Sequence, residues 1–356
     1  MKGNPMLLTG ITARTVPTER LRVHVLEVAG RTGTPVVFVH GNVSSSLFWQ
    51  QAMLDLPEGY RPLAVDLRGF GDTEPLPVDA TRGVRDYADD VAALAAALDL
   101  GPAHLVGWSM GGGVVLQLLR DRPTTVRTVT LVNPVSPYGF GGTRGVAGEP
   151  YDDAGTGAGG GTANPDFVRL LAEGDRTTGS PLSPRQVLLS FYVRPPFQPE
   201  HADTFVESML STRTGDAHYP GDAVPSDAWP GVAAGRSGVL NTMAPNHFRL
   251  DDLHAVDPKP PIRWIRGADD QIVSDTSVFD LAFLGSAGAL PDWPGADTHP
   301  PQPMVTQTRA VLDRYAEAGG TYDEVVLTDC GHSPHLEKPA EFTAALREVL
   351  EKASTI

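Results

Sequence analysis

Short apolar runs, spaced by polar and glycine-rich stretches, set the rhythm of this chain. Residues 20 to 30 and 35 to 40 read as strands, and the second contains an uninterrupted Val36-Val37-Phe38-Val39 run. A run with no polar alternation suits a strand buried on both faces, as in a parallel sheet covered by helices on each side. A strand at Arg61 to Val65, a helix from about Arg85 to Leu98, a strand through Leu105 and Val106, a helical pattern from Val114 to Arg120 and a strand from Val126 to Val132 follow in alternation. Further on, Ile262 to Ile265 and Glu324 to Thr328 read as strands, and Val305 to Ala318 as a helix. This order predicts an α/β fold built on a doubly wound, mostly parallel sheet.

The alternation breaks after Asn133-Pro134, where Tyr138 to Gly142 and Gly155 to Gly161 are too rich in glycine for core structure. From Pro165 to about Leu253 the chain reads as short helices broken by prolines. The expected organisation is core over residues 1–139, a mainly helical cap inserted over 140–255, and core again over 256–356. A second irregular stretch, 275–303, is either part of a site entrance or a surface elaboration.

Chemistry enters at Gly107-Trp108-Ser109-Met110-Gly111, where a strand runs into a serine and a helix runs out. Flanking glycines permit so sharp a bend, the serine is pushed into the open, and the helix aims its first free N–H groups at the same place. A bare G-x-S-x-G is weak evidence, and a plain turn serine is its bland alternative. A serine nucleophile needs a base, and the base needs an acid to orient it. Both follow in the chain, each on a loop leaving a strand. Asp269 and Asp270 lie after Ile262 to Ile265, and His332 lies after Glu324 to Thr328.

Four ordered segments carry a resemblance: Val37 to Asn42, Asp66-Leu67-Arg68-Gly69-Phe70-Gly71-Asp72-Thr73, the serine elbow, and the Asp270 and His332 loops. Outside one insertion the chain resembles the α/β-hydrolase superfamily, in particular the capped group of esterases, lactonases, haloperoxidase-like enzymes, haloalkane dehalogenases and C–C bond hydrolases. The resemblance implies Ser109 as nucleophile, His332 as general base and Asp270, rather than Asp269, as the acid. It also implies Asn42 and Met110 as oxyanion donors. Trp108, a neighbour of the serine in the elbow, is expected beside the substrate, and so is His40, which is more often a structural residue next to the oxyanion loop than a catalytic one. Ser109 stands where the dehalogenases carry aspartate, which disfavours dehalogenation through an aspartyl ester. Thr73 replaces the usual serine of its motif and keeps the hydroxyl.

The implied activity is hydrolysis of a carboxylic ester or lactone, with no metal and no organic cofactor. A C–C bond hydrolase with the same triad is an alternative, with Arg194, Arg213 or Arg249 to hold a substrate carboxylate; a ligand receptor on the same fold is another.

Composition narrows the partners. A formal charge of −15 opposes nucleic acid and offers no cationic patch to an anionic membrane. One cysteine, Cys330, excludes an internal disulfide and any C-x-x-C site. Met1 to Gly10 shows no apolar leader, so a cytoplasmic setting is expected. A small-molecule substrate is the expected partner, and oligomeric state is left open, a homo-oligomer included.

Overall fold

The computed structural model describes residues 6–352; residues 1–5, part of the Met1 to Gly10 stretch read above, lie outside the described residues. Eight strands form one sheet: β1 Ile11–Pro17, β2 Arg22–Val28, β3 Thr34–Val39, β4 Tyr60–Val65, β5 Ala103–Trp108, β6 Val126–Val132, β7 Ile262–Gly267 and β8 Tyr322–Leu327. Their spatial order is β1-β2-β4-β3-β5-β6-β7-β8. β1–β2 and β2–β4 pair antiparallel, and every later pairing is parallel. The expectation of a mostly parallel doubly wound sheet is met.

Burial explains the strand patterns. Every residue of β5 and five of the six in β3 are buried, because helices cover both faces. The principal core helices are α1 Arg85–Ala97, α2 Met110–Asp121, α3 Met304–Glu317 and α4 Pro339–Lys352. α4 presents Phe342, Ala345, Leu346, Val349 and Leu350 to the core at helical spacing. The chain fills β4 on one side of β3 and β5 on the other, so the order reverses at β3. In open α/β sheets the crevice beyond the strand carboxyl ends at such a reversal is where ligands bind. The loop after β3 and the turn after β5 meet there.

Between β6 and β7 the chain makes its long insertion. It contains helices Pro165–Glu173, Pro184–Val187 and Ala202–Leu210, a π-helical turn Leu188–Tyr192, and three two-stranded pieces that the sequence pattern does not announce. Those strands are two or three residues long, too short for a period-2 signal.

Stretch 275–303 is neither free nor structureless. It holds helix Leu281–Ser286 and braces the glycine-rich start of the insertion. Gln302 accepts the Gly141 N–H at 2.7 Å and donates to the Gly139 carbonyl at 3.1 Å. Tyr151 donates to the Pro300 carbonyl, and the Trp229 indole donates to that of Pro291. Among the described residues no helix is long and apolar enough to cross a membrane.

Candidate active site

Ser109 occupies the turn between β5 and α2 with φ 55° and ψ −121°, a backbone region that costs a non-glycine residue of order 1–3 kcal/mol and persists only when neighbours enforce it. They do. Ser109 N–H donates to the Val132 carbonyl at 2.9 Å, while its own carbonyl accepts from Gly112 and Val135. A methyl at Gly107 would sit 2.3 Å from the Gly111 oxygen, and one at Gly111 2.4 Å from the Val39 oxygen. Both glycines are therefore dictated by backbone crowding. Met110 opens α2, so its N–H belongs to the first turn, which has no intrahelical acceptor.

The loop after β3 lies against the elbow, and a methyl at Gly41 would come 2.9 Å from Ser109 Cβ. His40 fixes this loop. Its Nε2 accepts the Leu67 N–H at 3.0 Å, so the proton resides on Nδ1 and is donated to the Gly41 carbonyl at 2.7 Å. Burial lowers its pKa to about 4, which keeps the ring neutral. Fully buried with both nitrogens engaged by backbone, His40 braces the loop beside Ser109. Asn42 follows, and its Oδ1 is buried without a hydrogen-bond partner.

His332 Nδ1 lies 2.8 Å from Asp270 Oδ2, both side chains being buried. The other Asp270 oxygen accepts the N–H groups of Ile272 and Val273, which orients the carboxylate. An anionic acceptor fixes the proton on Nδ1 and leaves the Nε2 lone pair free to act as a base. Asp269 is exposed and pairs with Arg194 at 2.8 Å, so the geometry puts Asp270 on the imidazole.

Trp108 is also fully buried; its indole donates to the His332 carbonyl at 2.8 Å and its ring centroid lies 5.4 Å from that of His332. It ties the elbow to the histidine loop. Ser109, His332 and Asp270 are only 9%, 2% and 6% exposed, so the site is nearly closed to solvent.

Residues that the sequence reading passes over hold these loops together. Asn133, which reads as a mere boundary, accepts the Gly267 N–H at 3.1 Å and donates to the Gly331 carbonyl at 3.0 Å, joining the acid strand to the histidine loop. Glu337 accepts N–H groups from Gly331 and Ser333 on either side of His332. Burial raises its pKa despite those donors. Cys330 is buried, and burial pushes its thiol far above the range of a nucleophile. His335 stacks on Trp49 at 4.3 Å and Trp108 at 5.0 Å, with both nitrogens unpartnered. The two arginines Arg194 and Arg249 are paired with aspartates of their own chain. Among the described residues no cluster of three or more His, Cys, Asp or Glu side chains has metal-binding geometry.

Similar proteins agree with this architecture. Over 109 residues the chain is 42% identical to a non-heme chloroperoxidase of Streptomyces lividans, covering 30% of this chain and 39% of that protein. Over 103 residues it is 34% identical to a 2-hydroxymuconate semialdehyde hydrolase of Pseudomonas sp. strain CF600, covering 28% and 36%. Such matches span only a quarter to about two fifths of the curated relatives' length, 25% to 44%. A crystallised aryl esterase of Burkholderia cenocepacia, itself assigned provisionally, superposes with a TM-score of 0.59 at 18% identity, covering 97% of this chain and 100% of that one. A carboxylesterase of Bacillus subtilis gives 0.57 at 15%, covering 97% and 93%. At such identities these structures speak for the fold alone. The family model described as alpha/beta hydrolase fold matches residues 34–284, more than half of the chain, and the chain belongs to that family.

Proposed function

We propose that the protein is a serine hydrolase that cleaves a carboxylic ester or lactone through an acyl-enzyme intermediate. The observation that carries this reading is the buried Asp270–His332 hydrogen bond in a site whose strained elbow bears Ser109. His332 Nε2 takes the proton of Ser109 Oγ as the oxygen attacks the substrate carbonyl. The Met110 and Asn42 N–H groups stabilise the oxyanion, aided by the dipole of α2. Collapse of the tetrahedral species expels the alkoxide, which takes its proton from His332. Water, deprotonated by the same nitrogen, then attacks the acyl carbon, and Ser109 leaves with its proton restored. Asp270 holds the productive tautomer throughout and stabilises the transient imidazolium.

A C–C hydrolase needs the same triad and a cation free to hold a substrate carboxylate. Arg194 and Arg249 are committed to aspartates, and the third candidate, Arg213, is exposed, so that reading ranks below ester cleavage. The test is hydrolysis of p-nitrophenyl esters of increasing acyl length beside a panel of lactones, with wild type and Ser109→Ala. Turnover that vanishes in the variant supports the reading. Turnover that survives the substitution, or none on either panel, removes it.

A further inference from the structure

One short run of the insertion touches all three loops of the site. The Tyr192 hydroxyl donates to the Asn42 carbonyl at 2.9 Å and shares a longer contact of 3.2 Å with that of Val43, so it grips the loop assigned to oxyanion binding. Its ring lies 5.6 Å from Trp108 and 6.1 Å from His332, centroid to centroid. Val193 is fully buried. Arg194 N–H donates at 2.8 Å to Glu337 Oε2, the carboxylate that also holds Gly331 and Ser333 around His332. The Arg194 guanidinium reaches Asp269 at 2.8 Å, next to Asp270, and Asp329 at 3.3 Å, three residues before His332.

The approach is close as well as polar. A methyl at Gly331 would lie 2.8 Å from Arg194 N and 3.2 Å from the Val193 carbonyl carbon, so this run of the insertion lies directly on the histidine loop. These contacts tie the loop after β3 to the loops after β7 and β8, which already meet each other through the Asp270–His332 bond. A loop with two anchors can drift by an ångström, and a displacement of that size in a reacting group costs up to about a hundredfold in rate.

We propose that Tyr192 and Arg194 are positioning residues, through which seating of the insertion fixes the oxyanion loop and the Asp270–His332 pair in one step. The insertion is then part of the catalytic geometry as well as a roof. Its kinetic consequence rests on the serine-hydrolase reading, whereas the effect on the Asp270–His332 bond does not.

The test compares Arg194→Ala, Arg194→Lys, Tyr192→Phe and a control, Arg169→Ala, in the whole protein. Arg169 lies on the insertion helix Pro165–Glu173 and pairs with the exposed Asp166 and Glu173. Two readouts are taken: kcat and KM on p-nitrophenyl acetate, and the far-downfield proton NMR signal of the His332 Nδ1–H bound to Asp270. Arg194→Ala is expected to lower kcat about tenfold with KM changed less than about twofold, and to broaden the Nδ1–H signal. Arg194→Lys, which restores a cation but not the fork, recovers part of both. Tyr192→Phe, which keeps the ring packing, lowers kcat in the same direction and holds the test should Arg194→Ala fold poorly. A signal in Arg194→Ala as sharp as in wild type and Arg169→Ala overturns the proposal, whatever happens to turnover. A signal that broadens in a protein whose wild type cleaves no ester leaves the positioning role standing and removes the serine-hydrolase reading instead.

Discussion

At the scale of single residues, the site is decided by which polar groups already have partners. Asp269 and Asp270 are neighbours with the same side chain, yet one is exposed beside Arg194 and the other is buried against His332 with two backbone N–H donors on its second oxygen. Asp270→Asn is therefore expected to cut the single-turnover acylation rate by about a thousandfold or more, because an amide disturbs the tautomer, while Asp269→Asn changes it by less than about tenfold. The reverse ranking would assign the acid to Asp269. His335 gives a prediction of another kind. Burial first, and then the proximity of His332, hold its pKa down at about 3, against about 6.5 in an unfolded chain. Below pH 6.5 the unfolded state binds a proton that the folded state refuses, so this group's contribution to stability is lost as pH falls toward 3. The slope is about 1.4 kcal/mol per pH unit. His335→Phe keeps the stacking on Trp49 and Trp108 and removes that titration. Urea unfolding at pH 7 and pH 5 should then show a loss about 2 kcal/mol smaller than in wild type. An unchanged loss would mean that His335 is protonated in the folded protein.

At the scale of elements, the turn from β5 into α2 has no room for an added side chain at its glycines. Gly111→Ala would drive a methyl into the Val39 and His40 carbonyl oxygens at 2.4 and 2.5 Å, both backbone atoms of β3 and its following loop. A loss of about 3 kcal/mol or more in urea unfolding is expected, since no rotamer can relieve the contact; a loss below about 1 kcal/mol would show that β3 and α2 can separate at little cost. This element is also where sequence and structure agree best, because glycines, an apolar strand and a helical period are local signals. The strands β3 to β8 are legible for the same reason. Strand β1 is not, because its burial pattern shows only Ile11 and Val16 inside and four exposed residues between. Helix α4 does carry a helical apolar period in Phe342, Ala345, Leu346, Val349 and Leu350, although the sequence reading assigns no element there. The roles of Asn133 and Glu337 leave no local trace at all. Asn133 bonds to Gly331, 198 residues away, and its position after β6 reads equally well as a turn. His40 and Trp108 show the converse. Nearness to the nucleophile is legible in sequence, but whether a side chain faces a ligand or its own backbone depends on packing.

At the scale of the whole molecule, Ser109, His332 and Asp270 are all nearly closed to solvent, and on the proposed function part of the insertion lifts to admit substrate. Ser45 in the loop after β3 and Ser208 on helix Ala202–Leu210 of the insertion face each other with hydroxyl oxygens 2.6 Å apart, both buried. Replacing both with cysteine and oxidising should lock insertion to core, since two sulfurs at such sites can reach bonding distance. The locked protein is expected to lose at least about tenfold in turnover and to regain it on reduction; full turnover while locked would mean that substrate enters elsewhere. The proposed function requires that Asp270, His332, the elbow and the insertion together make Ser109 a nucleophile. Intact-protein mass spectrometry after treatment with a fluorophosphonate tests this most directly, on wild type and Ser109→Ala. A single adduct in wild type and none in Ser109→Ala is the predicted result; no adduct in wild type, or an equal one in both proteins, would contradict it.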